Sequence, residues 1–129
     1  MGAFDALGIA GSGLRTHQTW LDALGSNIAN SNTMRATTDN AFQAEMVMVS
    51  ARAAGGVEIT GSALSDAEGL LVHDPSHPLA DADGYVRAPA LDMASQMSQL
   101  IMAQRGFQAS SQVVSFAQDT YTTAIGIGR

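Results

Sequence analysis

Apolar residues recur every seven positions at both ends of the chain and lose that spacing in between. Leu7, Leu14, Leu21 and Ile28 form one such series, with Ala10, His17, Leu24 and Ser31 three positions further on. This is the a/d spacing of a helix that packs along a single seam, and it predicts a helix from about Phe4 to about Ala29. Gly8, Gly11, Gly13 and Gly25 interrupt it. Each costs a helix roughly 1 kcal/mol relative to Ala, so such a helix is marginal without a partner.

The last segment repeats the pattern. Met93, Leu100, Phe107, Val114 and Tyr121 form its first series, and Gln96, Ala103, Ser110, Ala117 and Ala124 its second. The small residues of that second series allow a partner helix to approach closely. Pro89 restricts the entry, Asp92 complements the positive end of the helix dipole, and Gly126 and Gly128 supply a stop. The expected helix runs from about Leu91 to about Ile125, roughly 50 Å. Both helices fill their polar faces with Ser, Thr, Gln, Asn and Gly rather than with the Glu–Lys pairs of a solvated helix. That choice favours helices surrounded by protein over an intramolecular antiparallel hairpin with an uncharged exterior.

Between the helices the period changes. AFQAEMVMVSA, GGVEIT and GLLVH read as short strands bounded by Gly55, Gly56, Gly61 and Gly69. They predict a small β element of two or three strands that must lean on the helices or on a neighbouring subunit. The expected fold is therefore mainly α with a small β element, its long N- and C-terminal helices paired as a coiled coil. One structural unit divides into residues 1–36, 37–90 and 91–129.

Charge follows the same division. The net charge of -6 arises wholly within residues 37–90, and the two helical ends are each neutral. An acidic chain without lysine argues against nucleic acid or an anionic membrane as partner. No cysteine is present, which excludes disulfides and thiolate metal sites. No apolar run reaches the 18 residues expected of a membrane span, and Asp5 with no basic flank does not read as a cleaved secretory signal.

The stretch HDPSHPLADADGYVRAP, residues 73–89, concentrates the candidate chemistry. His73 and His77 with nearby aspartates suggest a small metal-binding or hydrolytic site. Pro75 and Pro78, however, prevent the helix that would bring the imidazoles together. DADG resembles the centre of an EF-hand loop but has Leu79 and Ala90 where terminal ligands belong. A Ser76–His77–Asp81 triad lacks any companion oxyanion hole. The favoured reading is a shaped double turn, with aspartates bonding their own backbone and Gly84 in the left-handed region. No catalytic residue, cofactor site or metal site is assigned.

Three stretches resemble bacterial flagellar rod and hook proteins. SNIANSNT supplies Ser26, Asn27, Asn30, Asn32 and Thr33, in the manner of their N-terminal signature. DPSHPLADADGYVRAP, with Asp74, Pro75, His77, Pro78, Gly84, Tyr85, Val86 and Pro89, is similar to the motif of the proximal rod (FlgC) class. QRGFQAS corresponds to that class's R-A-Y-E-A-N helix motif, and MGAFDALGIAGSGL and AIGIGR extend the likeness to both ends. The resemblance implies a structural subunit exported unfolded, without a cleaved signal peptide, by the flagellar type III apparatus. Outside the cytoplasmic membrane, such subunits polymerise into a hollow rod that carries torque. It implies as partners further copies of the chain, the rod proteins FlgB, FlgF and FlgG, and the basal adaptor FliE. The heptad residues Leu7, Leu14, Leu21, Leu24, Ile28, Met93, Leu100, Phe107, Val114 and Tyr121 then become an assembly seam, and the three asparagines caps for the helix end and donors to neighbouring backbone. The remaining alternative of a different class is a soluble helical-hairpin adaptor.

Overall fold

The computed structural model describes residues 2–128. Met1 and Arg129, the latter closing the AIGIGR stretch, lie outside the described residues. The order is α1 (Ala3–Ala29), β1 (Glu45–Ala51), β2 (Val57–Leu64), β3 (Leu70–His73), β4 (Tyr85–Ala88) and α2 (Met93–Ile127). The strands make two separate antiparallel hairpins, β1–β2 and β3–β4.

α1 and α2 pack against each other within the chain. The arrangement is antiparallel: Phe4 meets Tyr121 edge-on at one end (ring centroids 5.5 Å apart), and Asn27 bonds Gln96 at the other (3.0 Å). Of the described heptad positions, Ala10, Leu24, Gln96, Ala103 and Ala117 are buried, and the larger seam side chains except Tyr121 are partly covered. The seam thus closes within the chain, pairing the two terminal helices as expected. Only one side of α2 is used, however. Met97, Ile101 and Phe116 remain exposed on its outer surface.

Close approach is set by small residues. Ala103 is fully buried, and a Cβ on Gly106 would collide with the His17 ring. That ring is held in place because its Nδ1 donates to the Gly13 carbonyl (2.8 Å), so it cannot turn away without losing a hydrogen bond.

The ends of α2 differ slightly from expectation. Asp92 is the N-cap, its carboxylate accepting from the Ala94 and Ser95 N–H groups, so the helix starts two residues beyond Leu91. At the far end Gly126 is absorbed into the helix, which stops at Gly128. A glycine inside a last turn weakens it without ending it.

The middle segment holds four strands where two or three were expected. β4 (Tyr85–Ala88) falls within the 73–89 stretch expected to form only a double turn; it pairs with β3 from Leu70↔Ala88 to His73↔Tyr85. Its other edge bonds Arg35 backbone to backbone at 2.9 Å in both directions. Ala41, Ala44, Val86 and Ala88 are buried here, forming a satellite core of small side chains. Arg87 locks its rim, with Nη1 donating to the Glu68 carbonyl and Nη2 to the Thr37 carbonyl.

An alanine in a helix interior normally outperforms glycine by roughly 1 kcal/mol. Gly106→Ala is expected instead to destabilise the chain by about 1–3 kcal/mol through overpacking against His17. In a His17→Ala background the sign should reverse. Urea unfolding of the four chains in that double-mutant cycle reads the result directly.

Candidate functional site

The Asn-rich segment does more than end a helix. Asn27 lies inside α1 and is 1% exposed. Its Oδ1 accepts from the Glu45 N–H (2.9 Å), and its Nδ2 donates to the Glu45 carbonyl (2.9 Å) and to Gln96 Oε1 (3.0 Å). One carboxamide therefore reproduces a strand-like pairing with the first residue of β1 and also reaches α2. A buried amide is tolerated because its bonding capacity is used. Asn30 occupies the cap position; its Nδ2 donates to the Ser26 carbonyl (2.9 Å) and its Oδ1 accepts from Thr33 Oγ1 (3.3 Å). Asn32 is exposed. The capping role thus fits Asn30, and the reach to neighbouring backbone fits Asn27.

A second pin holds the other end of the β1–β2 hairpin. Ser12 is buried; its Oγ donates to the Ile9 carbonyl (2.7 Å) and accepts from the Val57 N–H (3.1 Å). From Ser12 to Asn27 is about 22 Å along a helix, and from Glu45 to Ala51 about 20 Å along a strand. The lengths match, so the hairpin lies along α1 with both ends fastened. Ser12, Gly106 and Arg87 were not among the residues singled out from the sequence, and Gln96 was marked there only as a heptad position.

The His/Asp stretch is a double turn. Asp74 Oδ1 accepts from Ser76 Oγ and from the Ser76 N–H, and the His77 N–H donates to the Asp74 carbonyl. His77 Nδ1 accepts from the Leu79 N–H, while the His73 ring stacks edge-on against Tyr85 at 4.9 Å. Asp81 Oδ1 accepts from the Asp83 and Tyr85 N–H groups, and its Oδ2 from Thr37 Oγ1. Gly84 has φ +80 and is packed so closely that a Cβ would press on Pro75. Pro78 is exposed, whereas Val86 and Pro89 are buried. The motif residues are thus used to shape a link between β3, β4 and α2. Among the described residues no three His, Asp or Glu side chains converge as a metal-binding group.

These bonds act on acidity. The Ser76 hydroxyl, its N–H and the nearby imidazoles hold the Asp74 carboxyl below the ordinary 3.8. The Tyr85 N–H, Thr37 hydroxyl, and Asp83 and Gly84 N–H groups do the same for Asp81.

Comparison with known proteins covers the same elements. The family described as flagella basal body rod protein matches residues 7–37, which hold most of α1 and the Asn-rich segment. The family described as flagellar basal body rod FlgEFG protein C-terminal matches residues 82–127, which hold β4 and α2. Flagellar basal-body rod protein FlgC of Salmonella typhimurium is 30% identical over 134 residues, covering 100% of both chains. FlgC of Bacillus subtilis is 27% identical over 150 residues, again with full coverage of both. FlgC of Borreliella burgdorferi is 24% identical, with 98% of each chain covered.

Two outcomes are expected. Asn27→Ala strips the Glu45 peptide and Gln96 of their partners and should cost about 2–3 kcal/mol in urea unfolding, with β1 losing amide protection first. Asp74 and Asp81 have folded pKa values below their unfolded ones, so their contribution is complete above about pH 4 and vanishes as pH falls through the lower folded values. An acid titration followed at the Ser76 and Tyr85 amide resonances should therefore show the turn intact at pH 5 and released only below about pH 3.8.

Proposed function

Since this chain belongs to the FlgC class of flagellar basal-body rod proteins, we propose that it builds the rod by polymerising through its terminal helices around a central channel. It is a structural subunit, not an enzyme, and its place is the flagellar basal body. The proposal extends to export by the flagellar type III apparatus without a cleaved signal, to a position outside the cytoplasmic membrane, and to the transmission of torque. The proposed partners are further copies of the chain, the rod proteins FlgB, FlgF and FlgG, and the basal adaptor FliE. Among the described residues no helix is long and apolar enough to cross a membrane.

The observation that supports polymerisation is how much surface the folded chain leaves bare. Its accessible area is 8269 Å². A compact chain of 13.3 kDa exposes about 6,500 Å², leaving an excess of about 1,800 Å². Much of the exposed area is apolar: Met46, Met48, Leu64 and Leu71 on the hairpins, and Ile101 and Phe116 on α2. A monomer that functions alone rarely keeps so many large apolar side chains in water.

Deleting the chain should abolish swimming and leave basal bodies without a complete rod under the electron microscope. Ile101→Asp alters a side chain 51% exposed in the isolated chain, so its unfolding midpoint should shift by less than about 0.5 kcal/mol in equivalent stability. Placed in a rod, the same carboxylate would be buried without a partner, and swimming should be lost. His73→Ala should swim normally. Normal swimming by the Ile101→Asp strain, with loss in His73→Ala, would favour a ligand site in the double turn over helix-mediated assembly.

A further inference from the structure

The chain carries an overhang and a trough that nothing in its own fold fills. Phe4 packs on Tyr121, and beyond that contact α2 continues through residues 122–127, about 9 Å further. Every residue from 118 to 128 is exposed, with Ile125 at 47% and Ile127 at 81%. The trough lies where α1, α2 and the tip of the β1–β2 hairpin meet. It has a volume of about 550 Å³ and is lined chiefly by Ala6, Ile9, Ala10, Gly13, Val57 and Val113. It includes no Asp, Glu or Arg, and from Ala6 to Gly13 it runs about 10 Å along α1.

We propose that the α2 overhang of one copy seats in this trough of a second copy, making a head-to-tail contact that propagates. The inference rests on the rod-subunit reading and specifies which surfaces meet. Three observations select a second copy as the occupant. The overhang and the trough match in length and in apolar character. Residues 122–127 of the overhang carry no charge, and none of the trough's lining residues is Asp, Glu or Arg although Gly56 and Val57 come from the acidic middle segment. This contact therefore brings no like charges together, while face-to-face contact of the middle segments, which hold the whole excess of -6, would. The bare excess of about 1,800 Å² is of the same order as the roughly 1,600 Å² that two half-interfaces of about 800 Å² would cover on a chain with separate donor and acceptor surfaces. Two different surfaces on one chain give a heterologous contact, which grows rather than closing as a symmetric dimer does.

Cysteine cross-linking tests this cleanly because the native chain has no cysteine. Ile127 and Val113 are both exposed, and they lie about 21 Å apart on one straight helix. That separation is too great for a disulfide within the chain. Purified full-length Ile127→Cys/Val113→Cys protein, oxidised in solution, should give a ladder at multiples of 13.3 kDa. A mixture of the two single variants should give one dimer band, and either single variant alone should stay largely monomeric. Strong dimers from Ile127→Cys alone, or a double variant that stops at dimers, would show a symmetric contact and overturn the proposal. So would the absence of cross-links. A thiol-directed photo-crosslinker on Ile127→Cys in isolated basal bodies that captures a different rod protein, and no copy of this chain, would also overturn it. These failures leave the rod-subunit reading intact if the deletion strain cannot swim; a swimming deletion strain would remove that reading whatever the ladder shows.

Discussion

The side-chain amide of Asn27 is the bond on which the arrangement of the parts depends. It joins α1 to the start of β1 by two hydrogen bonds to one peptide group, and to α2 through Gln96. Only a short carboxamide can do this. Asp would lose the donor, Gln would place the group too far from the helix, and an apolar residue would leave the Glu45 peptide and the Gln96 amide without partners. In a fold whose buried side chains are mostly alanine, few contacts individually carry much energy, so a satisfied polar junction does much of the specifying.

Helix α1 is covered on two sides, and the two sides are written in different residues. The heptad series faces α2. A second stripe, Ser12, Thr16, Trp20, Ala23 and Asn27, advances by four, four, three and four positions and is buried or partly covered along its length. It faces the β1–β2 hairpin, where Ser12 and Asn27 bond strand backbone and Trp20 sits beside Val47 and Val49. The hairpin lacks a core of its own and is stable only as a lid on this stripe.

This difference explains what the sequence disclosed. The leucine series gave the two helices and their seam to within about two residues at each end, because burial against another helix selects apolar side chains at a fixed spacing. The second stripe escaped notice because Ser, Thr and Asn carry no hydropathy signal; its partners are peptide groups, and Asn27 meets Glu45 at a separation of 18 residues with no local pattern to announce it. β4 was missed for a related reason. Four residues between Gly84 and Pro89 read as the tail of a turn, and their strand character depends on β3 and on Arg35, far back in the chain. The turn itself was readable, since the Asp74 and Asp81 carboxylates bond backbone within four residues and Gly84 adopts the positive φ that its position required.

Fastening the hairpin at two points rather than one has a mechanical consequence. A sheet tied to a helix by a single junction can swivel about it, and twisting the helix would leave the sheet behind. With Ser12 and Asn27 both engaged, rotation of one end of α1 relative to the other must shear the strands as well, so the hairpin acts as a brace against torsion along about 20 Å of helix. In the proposed role of a torque-carrying rod subunit, that brace would make a slender helix pair of modest intrinsic rigidity resist wind-up before any neighbour is added.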